Sequence, residues 1–186
     1  MSNPRIIAGK AKGIRLDVAP DKISRPITDR VKEALFNIIG ADIINSTFLD
    51  LFGGTGSVGI EALSRGGCFT LFIDSSFSAV KVIKNNLIKT RLDDRAEVLH
   101  MDSFKYLLRS LGKSFNYVFI APPQYKQLWI KALKKVDDNP IHFTEDGWVI
   151  VQLDPIEYEN ISLKNLQLFD QRKYGSTLLL FYQRVN

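Results

Sequence analysis

Phe48-Leu49-Asp50-Leu51-Phe52-Gly53-Gly54-Thr55-Gly56-Ser57-Val58-Gly59 decides how this 186-residue chain is read. An apolar run from Phe48 to Phe52, broken only by Asp50, predicts a strand. Gly53 to Gly56 predicts a turn, and the apolar positions 58, 60, 62 and 63 that follow have helical spacing. Strand, glycine turn and helix together form the layout of a nucleotide-binding crevice at the carboxyl end of a parallel strand. Glycine tolerates positive φ there and lets a ligand approach the backbone. The helix would bring backbone N–H groups at its N-terminus.

Further strands and helices alternate outward from that stretch. Strands are predicted at 68–73, 97–101, 117–120 and 148–153, and helices at 77–90, 104–111 and 128–136. Upstream, residues 5–18 predict two short strands around the turn Gly9-Lys10-Ala11-Lys12-Gly13. The apolar residues 14, 16 and 18 there alternate with Arg15 and Asp17. A loop punctuated by Pro20 and Pro26 leads to a helix through Ile39, capped by Thr28 or Asp29, with 31, 34, 35, 38 and 39 as its apolar face. The tail from Leu166 to Tyr182 predicts a hairpin turning at Tyr174-Gly175. The expected fold is therefore α/β: a mostly parallel sheet with helices on both faces and an antiparallel C-terminal hairpin.

The length and the 45% hydrophobic content suit one domain, with residues 1–24 as a basic N-terminal extension. No run of about 18 apolar residues and no apolar leader occurs, so the expectation is a cytoplasmic protein without a membrane partner, and a monomer. One cysteine, Cys68, allows neither an intrachain disulfide nor a cysteine metal cluster, and its apolar neighbours place it in the core. His100 and His142 have no partner at ligand spacing, so no metal is expected. The net charge of +5 is concentrated in residues 1–32, which hold eight basic and three acidic residues, while the remaining 17 basic and 17 acidic residues cancel. Such a footprint fits contact with a polyanion, carried by Arg5, Lys10, Lys12 and Arg15. A solvated basic face is the plainer alternative.

Each predicted parallel strand ends in a residue with chemistry to offer, and such ends line one crevice. The first ends in Asp50 and the glycine loop, and the second in Asp74, 18 residues beyond Gly56, where a carboxylate can accept ribose hydroxyls. The third ends in Asp102, which can accept from an adenine amine or cap a helix, a role open to Ser103 as well. The fourth ends in Ala121-Pro122-Pro123-Gln124-Tyr125. Gly54-x-Gly56-x-x-Gly59 matches the dinucleotide fingerprint, but that match alone is weak. An acid at position 50 suits a cationic ligand better than a pyrophosphate. S-adenosylmethionine, with a sulfonium, an ammonium and no phosphate, is such a ligand.

Asp50-Leu-Phe-Gly-Gly-Thr-Gly-Ser-Val-Gly59 resembles the cofactor loop of class I S-adenosylmethionine-dependent methyltransferases. Three further segments resemble the bacterial family that methylates guanine N2 in small-subunit (16S) ribosomal RNA. They are Arg5-Ile-Ile-Ala-Gly-Lys10 with Gly13, Arg25-Pro-Ile-Thr-Asp-Arg-Val-Lys-Glu-Ala-Leu-Phe-Asn37, and Arg172-Lys-Tyr-Gly-Ser-Thr-Leu-Leu179. The resemblance implies a Rossmann-like, seven-stranded sheet with the methyl donor held by Asp50, Phe52, Gly53, Gly54, Thr55, Gly56, Gly59, Asp74, Asp102 and Ser103. It places a flipped guanine near Pro122-Pro123, with Arg25, Thr28, Asp29 and Arg30 at the mouth. The basic extension would hold the phosphates of small-subunit rRNA or of a subunit assembly particle.

The sequence departs from that pattern at one place. The resemblance calls for Asp or Asn, then Pro-Pro, then Tyr or Phe, the first side chain accepting from the target amine and the aromatic stacking on the base. Here Ala121 stands first and Gln124 separates the prolines from Tyr125. Backbone carbonyls at 121 or 122, or the Gln124 side chain, are the acceptors left. Tyr125 and Trp129, four apart, are alternatively ordinary packing. The alternatives in function are a DNA adenine-N6 methyltransferase, an impaired methyltransferase-like RNA-binding protein and a nicotinamide oxidoreductase.

Overall fold

In the computed structural model, which describes residues 3–19, 27–109 and 113–185, seven strands form one sheet in the order β3-β2-β1-β4-β5-β7-β6. The strands are β1 (Thr47–Asp50), β2 (Phe69–Asp74), β3 (Ala96–His100), β4 (Phe115–Ile120), β5 (Phe143–Leu153), β6 (Leu166–Tyr174) and β7 (Thr177–Arg184). The first five are parallel, and β7 inserts antiparallel between β5 and β6. The helices are α1 (Asp29–Ile39), α2 (Ser57–Ser64), α3 (Phe77–Thr90), α4 (Ser103–Leu107) and α5 (Leu128–Asp138). The order reverses between β1 and β4, so their carboxyl ends open the crevice where ligands bind in such sheets.

The central strands are near-continuous apolar runs because both faces of the sheet are covered. One face packs Leu49, Leu71, Val118, Val149 and Leu180 against Tyr106, Trp129 and Leu133 of α4 and α5. The other packs Phe48, Phe119, Ile150, Leu179 and Phe181 against Val31, Leu35 and Phe36 of α1. Thr28 caps α1, its Oγ1 accepting from the Val31 N–H at 3.3 Å. The buried face of α1 is Val31, Lys32, Leu35, Phe36 and Ile39, a stripe rotated slightly from the expected one. Positions 34 and 38 are half-buried, and a lysine takes an interior place.

Several expectations need correction. The N-terminal segment is not a pair of regular strands: its ladder reduces to one bridge, Arg5 to Arg15, with Ile6 donating to Ile14 and Leu16 to Pro4. The reason is that the backbone of residues 7–11 bonds instead to α2. Asp50 closes β1 rather than lying inside it, because Leu51 and Phe52 already turn. The α4 helix stops at Leu107, and residues 110 and 111 of the predicted segment lie outside the described residues. β5 begins five residues early, at Phe143, pairing across a register shift with Phe115. Cys68 is exposed, in the turn before β2, where its N–H donates to the Ser46 carbonyl. Among the described residues no helix is long and apolar enough to cross a membrane.

His142 is buried, its Nε2 lies 3.0 Å from the Leu107 carbonyl, and its ring packs on Tyr106. Burial lowers its pKa from 6.5, opposed by the weaker pull of that carbonyl. The fold thus holds the neutral imidazole while the unfolded chain protonates. Stability should therefore fall as pH drops below about 6.5, by up to about 1.4 kcal/mol per pH unit until the depressed pKa is reached. Urea unfolding across that range checks it: His142→Gln, which keeps an N–H donor, should flatten the profile.

Candidate active site

The crevice is built by the residues that leave the ends of β1, β2, β3 and β4. Asp50, only 2% exposed, closes β1, and the glycine loop follows at once. Its N–H groups are largely engaged inside the protein. Gly53 donates to the Ile73 carbonyl at 2.9 Å, Gly54 to Asp74 Oδ2 at 2.8 Å and Gly56 to the Gly53 carbonyl at 2.7 Å. Gly54 and Gly56 have φ of 63° and 77°, the left-handed conformation that this tight curl requires. A pyrophosphate cradle works by aiming successive N–H groups at the ligand; at 53, 54 and 56 they point into the fold. The loop instead brings backbone and carboxylates together, an acceptor set for a cation with hydroxyl groups.

Asp74 is held rigidly, accepting from Gly54 and, at 2.9 Å, from the Ser76 N–H. Asp102 is the N-cap of α4, its Oδ1 accepting from the Lys105 N–H at 2.9 Å, so capping is one of its roles. Ser103 is buried and its hydroxyl donates to the Leu51 carbonyl, which ties the start of α4 to the loop after β1. Phe52 is half-buried and meets the edge of Phe104 at a centroid distance of 6.2 Å. Thr55 is buried, and its carbonyl accepts from Asn86. A Cβ on Gly59 would lie 2.3 Å from the Phe72 ring, so this glycine serves the close approach of α2 to β2.

At the end of β4, Ala121, Pro122 and Gln124 are half-buried and Pro123 is exposed. Tyr125 is 68% exposed with φ of 64°, a conformation that costs a tyrosine energy and needs support. Support comes from beyond β5: the Tyr125 N–H donates to Glu157 Oε1 at 2.7 Å and its hydroxyl to Asp154 Oδ2 at 3.2 Å. Trp129, by contrast, is core, so the pair is not a packing contact on one helix.

The basic segment docks on α2. Ile7 and Ala8 donate their N–H groups to the Glu61 carboxylate at 2.8 and 3.0 Å, and Ala11 donates to Ser64 Oγ. Lys32 donates to the Arg5 carbonyl and to Ser57 Oγ, with Glu61 Oε2 3.6 Å away. Burial drives the Lys32 pKa down from its ordinary value, and the Glu61 charge pulls it back up. Lys10, Lys12, Arg15, Thr28 and Arg30 are exposed, and Arg5 pairs with the half-buried Asp29 at 2.7 Å, joining the extension to the start of α1. Arg25 lies outside the described residues.

Four positioning residues escape a reading by motif: Lys32, Glu61, Asn86 and Asp154. Asn86 is fully buried, accepting from the Asp17 N–H and donating to the carbonyls of Asp17 and Thr55, so it links the glycine loop to the N-terminal segment. Lys32 and Glu61 lie outside the apolar positions that helical spacing marks, so no local pattern signals their burial.

Comparison with known proteins now adds to this geometry. The family profile described as Conserved hypothetical protein 95 matches residues 4–183. The chain belongs to this family. YlbH of Bacillus subtilis (strain 168), named as a candidate rRNA methyltransferase, is 34% identical over 182 residues, covering 97% of this chain and 98% of YlbH. Ribosomal RNA small subunit methyltransferase D of Escherichia coli (strain K12) is 35% identical over 147 residues, covering 78% of this chain and 69% of that protein. The solved structure of yhhF from Escherichia coli, a candidate methyltransferase, matches with a TM-score of 0.87 at 28% identity, covering 98% of each chain. The seven-stranded class I methyltransferase fold expected from the sequence stands, with its antiparallel C-terminal strands.

Glu61→Ala would leave Lys32 as a buried charge without its carboxylate and two N–H groups without acceptors. A loss of about 3–5 kcal/mol in urea unfolding is expected, with faster proteolytic cleavage within residues 5–15.

Proposed function

We propose that this chain transfers a methyl group from S-adenosylmethionine to the exocyclic N2 amine of a guanine in small-subunit rRNA. The observation that carries the reading is the switch-point crevice, where Asp50, Asp74 and Asp102 converge around a glycine loop whose N–H groups at 53, 54 and 56 are already bonded. The names of the relatives support methylation of rRNA. Guanine N2 rests on the resemblance of the segments around Arg5, Arg25–Asn37 and Arg172.

Bound in the crevice, the cofactor supplies a methyl group on a positively charged sulfur. The chain's own residues do the rest. Asp74, already fixed by two N–H donors, accepts the ribose hydroxyls, and Asp102 with the start of α4 borders the adenine. Asp50 and the loop from Phe52 to Gly56 face the cationic end. Tyr125, held at both its N–H and its hydroxyl, presents an exposed ring on which the flipped guanine stacks. The carbonyls of Ala121 and Pro122, with Gln124 beside them, hold the amine with its lone pair toward the methyl group. Lys10, Lys12 and Arg15, with Arg5 and the Thr28–Arg30 turn nearer the mouth, hold RNA phosphates.

A single-turnover assay with methyl-labelled cofactor and unmodified small-subunit rRNA tests the reading. Label on guanine N2 is the expected result; cofactor binding without transfer, or transfer to duplex DNA instead, overturns it. The basic extension has its own test. Replacing Lys10 and Lys12 by alanine should reduce the slope of log affinity against log salt by up to about two, one for each phosphate that the variant no longer neutralises. An unchanged slope would mean these lysines only solubilise the protein.

A further inference from the structure

The turn after β4 lacks an acceptor side chain at Ala121, and the neighbouring strand holds one that no partner uses. Ile120 pairs with Val151, so the register sets Ala121 beside Gln152, one residue before the end of β5. Alternation along the strands puts both on the sheet face that α1 covers. Phe119 and Ile150 lie on that face, Ala121 packs against the same cluster, and Leu179, the partner of Gln152 on β7, belongs to it. Gln152 thus stands between Ala121 and Leu179 at the carboxyl edge of the sheet, one strand spacing of about 4.8 Å from the catalytic turn.

Its surroundings are apolar, and its Oε1 is buried and meets no hydrogen-bond donor. A buried amide oxygen without a donor is destabilising, and such groups in native folds call for an explanation. Ala121 leaves the room that an Asp or Asn side chain would occupy, and a glutamine from β5 is long enough to reach across it. The terminal torsion of glutamine is soft, and the oxygen breaks no bond when it turns toward an incoming group.

We propose that Gln152 is a catalytic residue, accepting a hydrogen bond from the target amine in place of the side chain missing at position 121. This rests on the methyl-transfer reading. One amine N–H donates to Gln152 Oε1 and the other to a carbonyl of the Ala121-Pro122 turn, which points the nitrogen lone pair at the methyl carbon. The N–C bond forms as the C–S bond breaks, sulfur keeps that electron pair as a neutral thioether, and the proton lost from nitrogen leaves to water.

The test compares the parent protein with Gln152→Leu, Gln152→Glu and the double variant Ala121→Asp/Gln152→Leu, using labelled cofactor and small-subunit rRNA in single turnover. Gln152→Leu should transfer roughly 10²–10³-fold more slowly, the effect of losing one well-placed transition-state hydrogen bond. Its affinity for S-adenosylhomocysteine by calorimetry should stay unchanged, and its unfolding midpoint should be no lower, because an oxygen without a donor is removed. Gln152→Glu should keep activity, with a new loss of rate at acid pH as the carboxyl protonates. The double variant should recover most of the parent rate. Equal transfer by the parent and Gln152→Leu overturns the role of Gln152 alone, as does a slow Gln152→Leu that Ala121→Asp fails to rescue. No transfer by the parent overturns the methyl-transfer reading, and this role with it.

Discussion

One carboxylate, that of Glu61, holds together three segments that are far apart in the chain. It accepts the N–H groups of Ile7 and Ala8, pairs with Arg65 and sits beside the buried ammonium of Lys32. An apolar replacement of a buried ion pair often stabilises a fold as well or better, so raw stability is a poor account of this junction. Its effect is geometric. The α2 helix starts at the glycine turn that shapes the crevice and, near its other end, grips the basic extension. The crevice and the basic extension are therefore referred to one rigid element.

Much of the crevice is legible in residue order alone. The apolar runs of β1, β2 and β4, the glycines after β1 and the acids at strand ends are local signals that the structure retains. What local patterns miss is the partner of each polar group. Lys32 belongs by its type among the outward residues, yet it lies inside, since Glu61, Ser57 and the Arg5 carbonyl satisfy it there. Cys68 goes the other way: its apolar neighbours belong to β2, while it occupies the turn just before. The N-terminal alternation correctly marks Ile14 and Leu16 as inward, misplaces the exposed Val18, and cannot reveal that the neighbouring backbone bonds to a helix instead of a second strand.

The turn after β4 shows the same limit more sharply. Sequence shows that position 121 carries only a methyl group, but what lies across from it depends on the register of β4 against β5, set by a ladder between residues about 30 apart. The supports of Tyr125 are equally remote. Asp154 and Glu157 belong to the segment after β5, and only the folded sheet brings them under the loop after β4. Inserting Gln124 between the prolines and the aromatic makes sense in that setting, because the tyrosine must turn through a left-handed conformation to reach them.

The antiparallel β7 has a consequence for how the molecule comes into being. It follows β6 in the chain but lies inside it, bonded on one side to β5 and on the other to β6. During synthesis β5 would stand as an open edge, presenting unbonded amides and the apolar side chains of Val149, Ile150, Val151 and Leu153 until β7 emerges. Leu178 to Tyr182, buried on both faces, then close that edge. The sheet is sealed from within by β7, so a nascent fragment that stops short of it leaves the edge of β5 uncovered.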